Sequence, residues 1–220
     1  MHEIVKAGTF AVVFLLFSNV THAEGIFVGG TLGTRGVGVD LGYSLTGNWS
    51  LRGSLAGLQY GRDVTEGDIN YQGDMDLRSG GLLLDWYPSG GAFRLSLGAF
   101  YNGNKIKARA TAANGGTLKV GNNTYDVAGE SVDGVIKWKE AAPYLGIGWG
   151  NPSNGRGWGF AFDLGALYTG KPTGTLNASP GLRAQPGFNA DLATEQEELN
   201  RGVKDATFWP VLQFQIQYRF

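Results

Sequence analysis

Apolar and polar residues alternate along most of this chain with a period of two. The pattern is plainest from Phe208 to Phe220. Phe208, Leu212, Phe214, Ile216, Tyr218 and Phe220 share one register with Pro210, and Gln213, Gln215, Gln217 and Arg219 occupy the other. A strand sends alternate side chains to opposite faces, so one face of this segment is greasy and the other wet. A glutamine ladder closing on an arginine and a final aromatic residue reads as the closing strand of an outer-membrane β-barrel. In such a barrel the apolar face meets lipid and the polar face lines a narrow interior.

The alternation recurs seven more times: at 26–33, 37–45, from Trp49 onward, 73–87, 93–102, 136–149 and 158–168. In the seventh stretch Trp158, Phe160, Phe162, Leu164, Ala166 and Tyr168 face one way, and Gly159, Ala161, Asp163 and Gly165 the other. The pattern around residue 143 sends Pro143, Leu145, Ile147 and Trp149 outward, with Glu140, Tyr144, Gly146 and Gly148 inward. Short turns are expected at 46–48, 88–91 and 151–156. The other connections, 34–36, 61–72, 106–135 and 171–207, are larger or more variable. The third of them holds enough β-formers for a hairpin around 121–123. The last carries Pro172, Pro180 and Pro186, then a helix-forming run from Asp191 to Arg201 that stops near Gly202. Short turns on one rim and long loops on the other complete the expectation of an all-β, eight-stranded antiparallel up-and-down transmembrane barrel. Aromatic residues gather near strand ends, at Trp49, Trp86, Tyr87, Trp149, Trp158 and Phe220, as interface girdles do.

Composition sharpens this picture. Of 220 residues, 37 are glycine, and only 17% are charged, below the usual quarter of a soluble domain. The body of the chain has no apolar run of 18 residues, which excludes a helical membrane protein. The net charge of −1 without a basic stripe argues against a nucleic-acid partner. Near the start, Lys6, the apolar run 10–17 and Thr21-His22-Ala23 read as a signal peptide, residues 1–23, leaving a barrel domain of 24–220. Export without cysteine fits a bacterial fold that does not depend on disulfides.

Eight strands leave an interior barely wide enough for its own side chains. Inward glycines, among them Gly29, Gly38, Gly42, Gly81, Gly98, Gly146 and Gly148, leave room for larger polar groups. Asp40, Arg52, Asp85, Arg94 and Arg219 fall near the short-turn rim, with Asp163 slightly deeper. Unpaired charge in so narrow a space is very costly, so these groups are expected to form a paired, hydrogen-bonded lumen network. Such a network is either a structural plug or a charged constriction that selects small polar solutes. Both histidines, His2 and His22, lie in the segment to be removed, which deprives lipid- or peptide-cleaving chemistry of its usual general base. No Cys/His metal cluster, P-loop or dinucleotide fingerprint is present. No catalytic, cofactor or metal site is therefore expected, and the chain is not read as an enzyme. Its expected partners are outer-membrane lipid and lipopolysaccharide, small polar solutes, and the barrel-assembly machinery through Phe220.

The segment from Trp138 to Gly174 carries a family resemblance. Ala142-Pro143-Tyr144-Leu145-Gly146-Ile147-Gly148, Trp158-Gly159, and Leu167-Tyr168-Thr169-Gly170-Lys171-Pro172 resemble the carbapenem-associated outer-membrane CarO family. So does the acidic helical stretch followed by Trp209-Pro210-Val211 at the head of the last strand. OmpW-like barrels share the architecture more loosely. The resemblance implies an eight-stranded barrel with elaborate extracellular loops. It also implies uptake of small solutes, especially basic amino acids such as ornithine, with carbapenem passage a side effect. It assigns no transport residue. An OmpW-like reading implies lateral release of small apolar molecules, and a closed structural or adhesive barrel acting through its loops is a third possibility.

Overall fold

The computed structural model describes residues 25–66, 69–112, 116–121, 123–126, 129–150 and 155–220. The expected signal peptide, and most of the 151–156 turn, lie outside the described residues. Thirteen strands and two helices follow in order: β1 Ile26–Gly33, β2 Gly36–Ser44, β3 Trp49–Glu66, β4 Ile69–Trp86, β5 Phe93–Asn102, β6 Lys105–Ala112, β7 Thr117–Val120, β8 Asn123–Asp126, β9 Ser131–Lys137, β10 Ala141–Trp149, β11 Gly157–Tyr168, β12 Thr173–Ala178, α1 Pro180–Arg183, α2 Phe188–Val203 and β13 Phe208–Arg219. Eight of the strands close a ring in the order β1-β2-β3-β4-β5-β10-β11-β13, and β13 returns antiparallel onto β1 with Gly29 opposite Gln217. The expected eight-stranded antiparallel barrel is the observed fold.

The period-two alternation decides which way each side chain points. Leu55, Leu82, Leu97, Leu145 and Phe160 stand exposed on the outer wall, whereas Ser50, Arg52, Asp85, Arg94 and Gln213 are buried within. This inverts a soluble protein and leaves an apolar belt that water would not tolerate. Aromatic pairs mark the short-turn end of the belt: Trp49 stacks on Trp86 at 5.8 Å, Phe93 meets Trp149 at 5.6 Å and Trp158 meets Tyr218 at 5.2 Å. Tyr168 and Phe208, 5.2 Å apart, mark the other end, with Tyr101 exposed at the top of β5.

The structure departs from the sequence expectation where the chain leaves the belt. Residues 61–72 are expected to be a polar loop, but β3 and β4 run on through them as paired 18-residue strands. Above the apolar belt the outward residues turn polar, so the alternation that signals a strand disappears while the backbone ladder continues. The expected strand 136–149 is two strands. Its first residues belong to β9, which leaves the barrel to pair with β6 and β12, and Glu140 lies exposed in the break instead of pointing inward. Strands β6, β9 and β12 extend the tall β3–β4 wall on one side only. The β1–β2 connection is a tight turn at Thr34-Arg35, set low because β2 pairs with β3 only as far as Gly57.

The two inserts fold together as one cap on the long-loop end. The expected hairpin is β7–β8, and the expected helix is longer than the 191–201 run, with Gly202 inside its last turn. Val120 and Tyr125 of the hairpin pack with Leu182, Phe188 and Leu192 of the helical segment. Helix α2 also satisfies the free edge of β12: Gly174 N–H donates to Asn200 Oδ1 at 2.8 Å and Leu176 N–H to Gln196 Oε1 at 3.0 Å. An edge strand so covered no longer templates further pairing. The hairpin is pinned to α2 where Tyr125 and Asn123 both donate to Asp191 Oδ2, each at 2.6 Å. The Tyr125 bond, then the Asn123 bond, holds the Asp191 carboxyl below its ordinary range.

Two outcomes are expected. Phe188→Ala should cost the cap about 3–5 kcal/mol. It should open 171–207 to limited proteolysis while the barrel keeps its heat-dependent gel shift. The second outcome concerns acid. A carboxylate with a depressed folded pKa contributes stability above its unfolded pKa of about 3.9, and that contribution is lost as pH falls through the folded value. Hairpin amides should thus stay protected from exchange at about pH 5 and lose protection below about pH 4. Asp191→Asn should remove this acid dependence.

Candidate functional site: the lumen charge network

The site is built on inward positions of four adjoining strands and one strand across the barrel. Arg52 of β3 lies beside Gly42 of β2 and Leu83 of β4 in the register. Its neighbours one inward step away are therefore Asp40 and Asp85. The guanidinium grips Asp85 with two bonds, Nε to Oδ2 at 2.9 Å and Nη2 to Oδ1 at 3.0 Å. Nη1 donates to Asp40 Oδ2 at 3.0 Å and, across the lumen, to Asp163 Oδ2 at 2.8 Å. One cation thus ties together three carboxylates from β2, β4 and β11. Ser96 Oγ adds a 2.5 Å bond to Asp85 Oδ1.

Arg94 completes the opposite side. It donates through Nη2 to Asp163 Oδ1 at 2.7 Å and through Nη1 to the Gly150 carbonyl at 2.6 Å, and its Nε lies 3.9 Å from Asp85. Arg94 and Asp163 sit on strands that do not pair with each other; β10 runs between them, with Gly148 beside both. The two side chains meet across that glycine. A Cβ there would lie 2.7 Å from Arg94 Nε and 2.8 Å from Asp163 Oδ1. The glycine is what lets the ion pair close.

Five of the six expected residues therefore come together: Asp40, Arg52, Asp85, Arg94 and Asp163. Arg219 does not join them, and forms no ion pair among the described residues. Phe27 stands between Arg219 and Gly42 in the register, and its buried ring fills the space over Gly42. That wedge separates Arg219 from Arg52. The third cation is Arg35, which the sequence reading leaves in a turn. Because the β1–β2 turn is low, Arg35 folds into the lumen, where it is only 4% exposed. Its Nη2 donates to Ser54 Oγ at 2.7 Å, and its guanidinium lies 4.7 Å from the centre of the Phe100 ring. The sequence carries no signal for it, because Arg52, Arg94 and Arg219 already balance the three inward aspartates in the register.

With Arg35, the charges that meet in the lumen, Arg35, Arg52 and Arg94 against Asp40, Asp85 and Asp163, sum to zero. A small cavity of about 10 Å³, on the scale of one water molecule, lies between Arg35, Arg52, Phe100, Tyr144, Asp163 and Gln213. Arg35 Nε and Nη1 and Gln213 Nε2 have no protein partner there. Above it, Leu83, Phe100, Ala142, Tyr144, Leu167 and Val211 form an apolar layer. Trp138 and Trp209, edge to face at 5.6 Å, cover the mouth, with Trp138 Nε1 donating to the Ala206 carbonyl at 3.0 Å. Side chains thus fill the lumen at both levels.

Removing one partner of a buried ion pair costs about 3–5 kcal/mol because it strands the other charge. Arg52→Ala leaves Asp40 without an ion pair and Asp85 without its two short guanidinium bonds, and should lower the urea midpoint of the gel-shift transition accordingly. Gly148→Ala should weaken the barrel in the same direction. Arg219→Ala should shift stability by less than about 1 kcal/mol, since it breaks no pair.

No family model matches this chain, and no curated protein matches it in sequence. Solved structures do. Acinetobacter baumannii CarO2 superposes with a TM-score of 0.59 at 19% identity, covering 90% of this chain and 99% of that one. Acinetobacter baumannii CarO superposes with a TM-score of 0.58 at 20% identity, covering 89% and 98%. The correspondence spans both chains nearly end to end, cap as well as barrel, and at this identity it speaks for the fold: the chain is a CarO-like eight-stranded β-barrel.

Proposed function

We propose that the chain is a bacterial outer-membrane barrel that passes small polar solutes through a lumen closed at rest by its charge network. The apolar outer belt between aromatic girdles supports the membrane location. The observation that carries the passage reading is the convergence of Asp40, Arg52, Asp85, Arg94 and Asp163 at one level of the lumen, bridging opposite walls. A solute crossing that level must exchange partners with these groups. A small zwitterion or a cationic amino acid brings its own ammonium and carboxylate to do so, which an apolar molecule does not. The CarO resemblance points to basic amino acids such as ornithine as the first solutes to try. The reading is non-enzymatic: residues 24–220 hold no histidine or cysteine for acid–base or nucleophilic chemistry.

A second reading, a closed barrel acting through its extracellular cap, is favoured by the cap's own apolar core and by the sealed lumen. Lateral release of apolar ligands has less support. The wall is low at Thr34, but Thr34 N–H donates to the Leu212 carbonyl at 3.0 Å and its hydroxyl to the Pro210 carbonyl at 2.8 Å, which closes the seam at that level.

Swelling of proteoliposomes in isosmotic ornithine, glycine, glutamate and a small sugar separates these readings. Uptake that favours ornithine over glutamate and changes in Asp85→Ala and Arg94→Ala is expected for the gated path. No swelling with any solute, from barrel whose folding is verified by gel shift, would sink that path and leave the cap reading.

A further inference from the structure

We propose that the outer surface of β4, β6 and β9, directly above the apolar belt, is a binding site for the phosphate groups of lipopolysaccharide. The inference rests on the outer-membrane reading and adds a site on the barrel for the lipopolysaccharide expected there. Along β4, Leu82, Leu84 and Trp86 point outward and Leu83 and Asp85 inward. The same outward series continues up the strand through Gly80 and Arg78 to Asp76. The register then carries this outer row sideways, from Asp76 to Lys105 of β6 and from Lys105 to Lys137 of β9. Contacts agree: Asp76 accepts from Arg78 Nε at 2.8 Å and lies 3.6 Å from Lys105 Nζ.

Height and charge both point to a lipid headgroup. Tyr101, at the upper end of the belt, pairs with Gly80. Arg78 is one outward step above it and the Asp76–Lys105–Lys137 row is two, about 7 and 14 Å along the strand. With a strand tilt of about 40° these steps rise roughly 5 and 10 Å, which puts Arg78 in the polar headgroup layer and the lysine row just above it, within reach of long side chains bending back. At this level positive charge is in excess. One carboxylate, Asp76, serves both Arg78 and Lys105, while Lys137 forms no ion pair among the described residues. Higher on the same face the charges balance: Lys107 stands opposite Asp74, and Arg109 Nε lies 3.4 Å from Asp133. Lys139 and Lys171, both exposed, extend the excess around the rim beside Tyr168.

Lys105 and Lys137 are direct cross-strand partners, an arrangement of like charges that costs stability unless something lies between them. A phosphate is that something. Two ammonium groups on neighbouring strands converge on one anionic group, and the repulsion becomes a bidentate grip. A phosphorylated glycolipid in the outer leaflet presents its phosphates at this depth, where its acyl chains lie along Leu82 and Leu97. A free anion in bulk water has no reason to seek the belt.

The test uses the full barrel refolded in phosphatidylcholine vesicles, with bis-phosphorylated lipid A, dephosphorylated lipid A or phosphatidylglycerol added. Affinity is read from the shift in unfolding temperature. Bis-phosphorylated lipid A should stabilise the wild type and the distal control Lys204→Gln equally. Affinity should fall roughly ten- to thirty-fold in the double variant Lys105→Gln/Lys137→Gln, the effect of about two surface lysines. Equal affinity in the double variant, an equal loss in Lys204→Gln, or equal binding of dephosphorylated lipid A or phosphatidylglycerol would overturn the proposal while the membrane reading stands. Failure of the wild type to insert would overturn the membrane reading and this proposal with it.

Discussion

Eight strands enclose a space only as wide as the side chains that fill it, and this chain fills it with charge. Asp40, Asp85 and Asp163 lie inside the ring with Arg35, Arg52 and Arg94, and Arg52 and Arg94 touch their carboxylates directly. The arrangement is stable because Arg52 spends its fork of donors on three carboxylates at once and Arg94 closes the circuit through Asp163. The bonds of Arg52 and Arg94 to Asp163 join strands that do not pair, so the network staples the ring across its width. Loss of Arg52 leaves Asp40 with no ion-pair partner, so the barrel and its candidate gate are one object.

The unequal height of the wall shapes everything else. On one side the β1–β2 hairpin is low, and its turn lets Arg35 reach into the lumen, where Phe100 and Ser54 receive it. On the other side β3 and β4 rise well past the belt and carry β6, β9 and β12 with them. The inner face of that tall wall is the floor on which α2 and the hairpin pack, and its outer face carries the basic row above the belt. One asymmetry in strand length thus supplies the third lumen cation, the cap and the rim charge. A gated polar path fits this plan, because the plug has fixed groups to trade with a solute and the cap stands over the mouth.

The sequence by itself determined the ring. Alternation of Phe208, Leu212, Phe214 and Ile216 against Gln213, Gln215 and Gln217, repeated in seven other stretches, dictates eight strands and their two faces, because a membrane demands one apolar face wherever it touches the chain. It also picked out Asp40, Arg52, Asp85, Arg94 and Asp163, since a charge on the inward register has nowhere to go but the lumen. Where that demand lapses, legibility lapses with it. The tops of β3 and β4 read as loop, and most of β9 reads as part of the insert, with only its last residues joined to β10. Which charges meet was decided only by the tertiary structure. Arg219 shares the inward register but Phe27 blocks it, whereas Arg35 sits in a turn yet points inside. Both outcomes depend on how high each strand stands in the closed ring. That height follows from register and tilt across all eight strands, and no single stretch of sequence contains it.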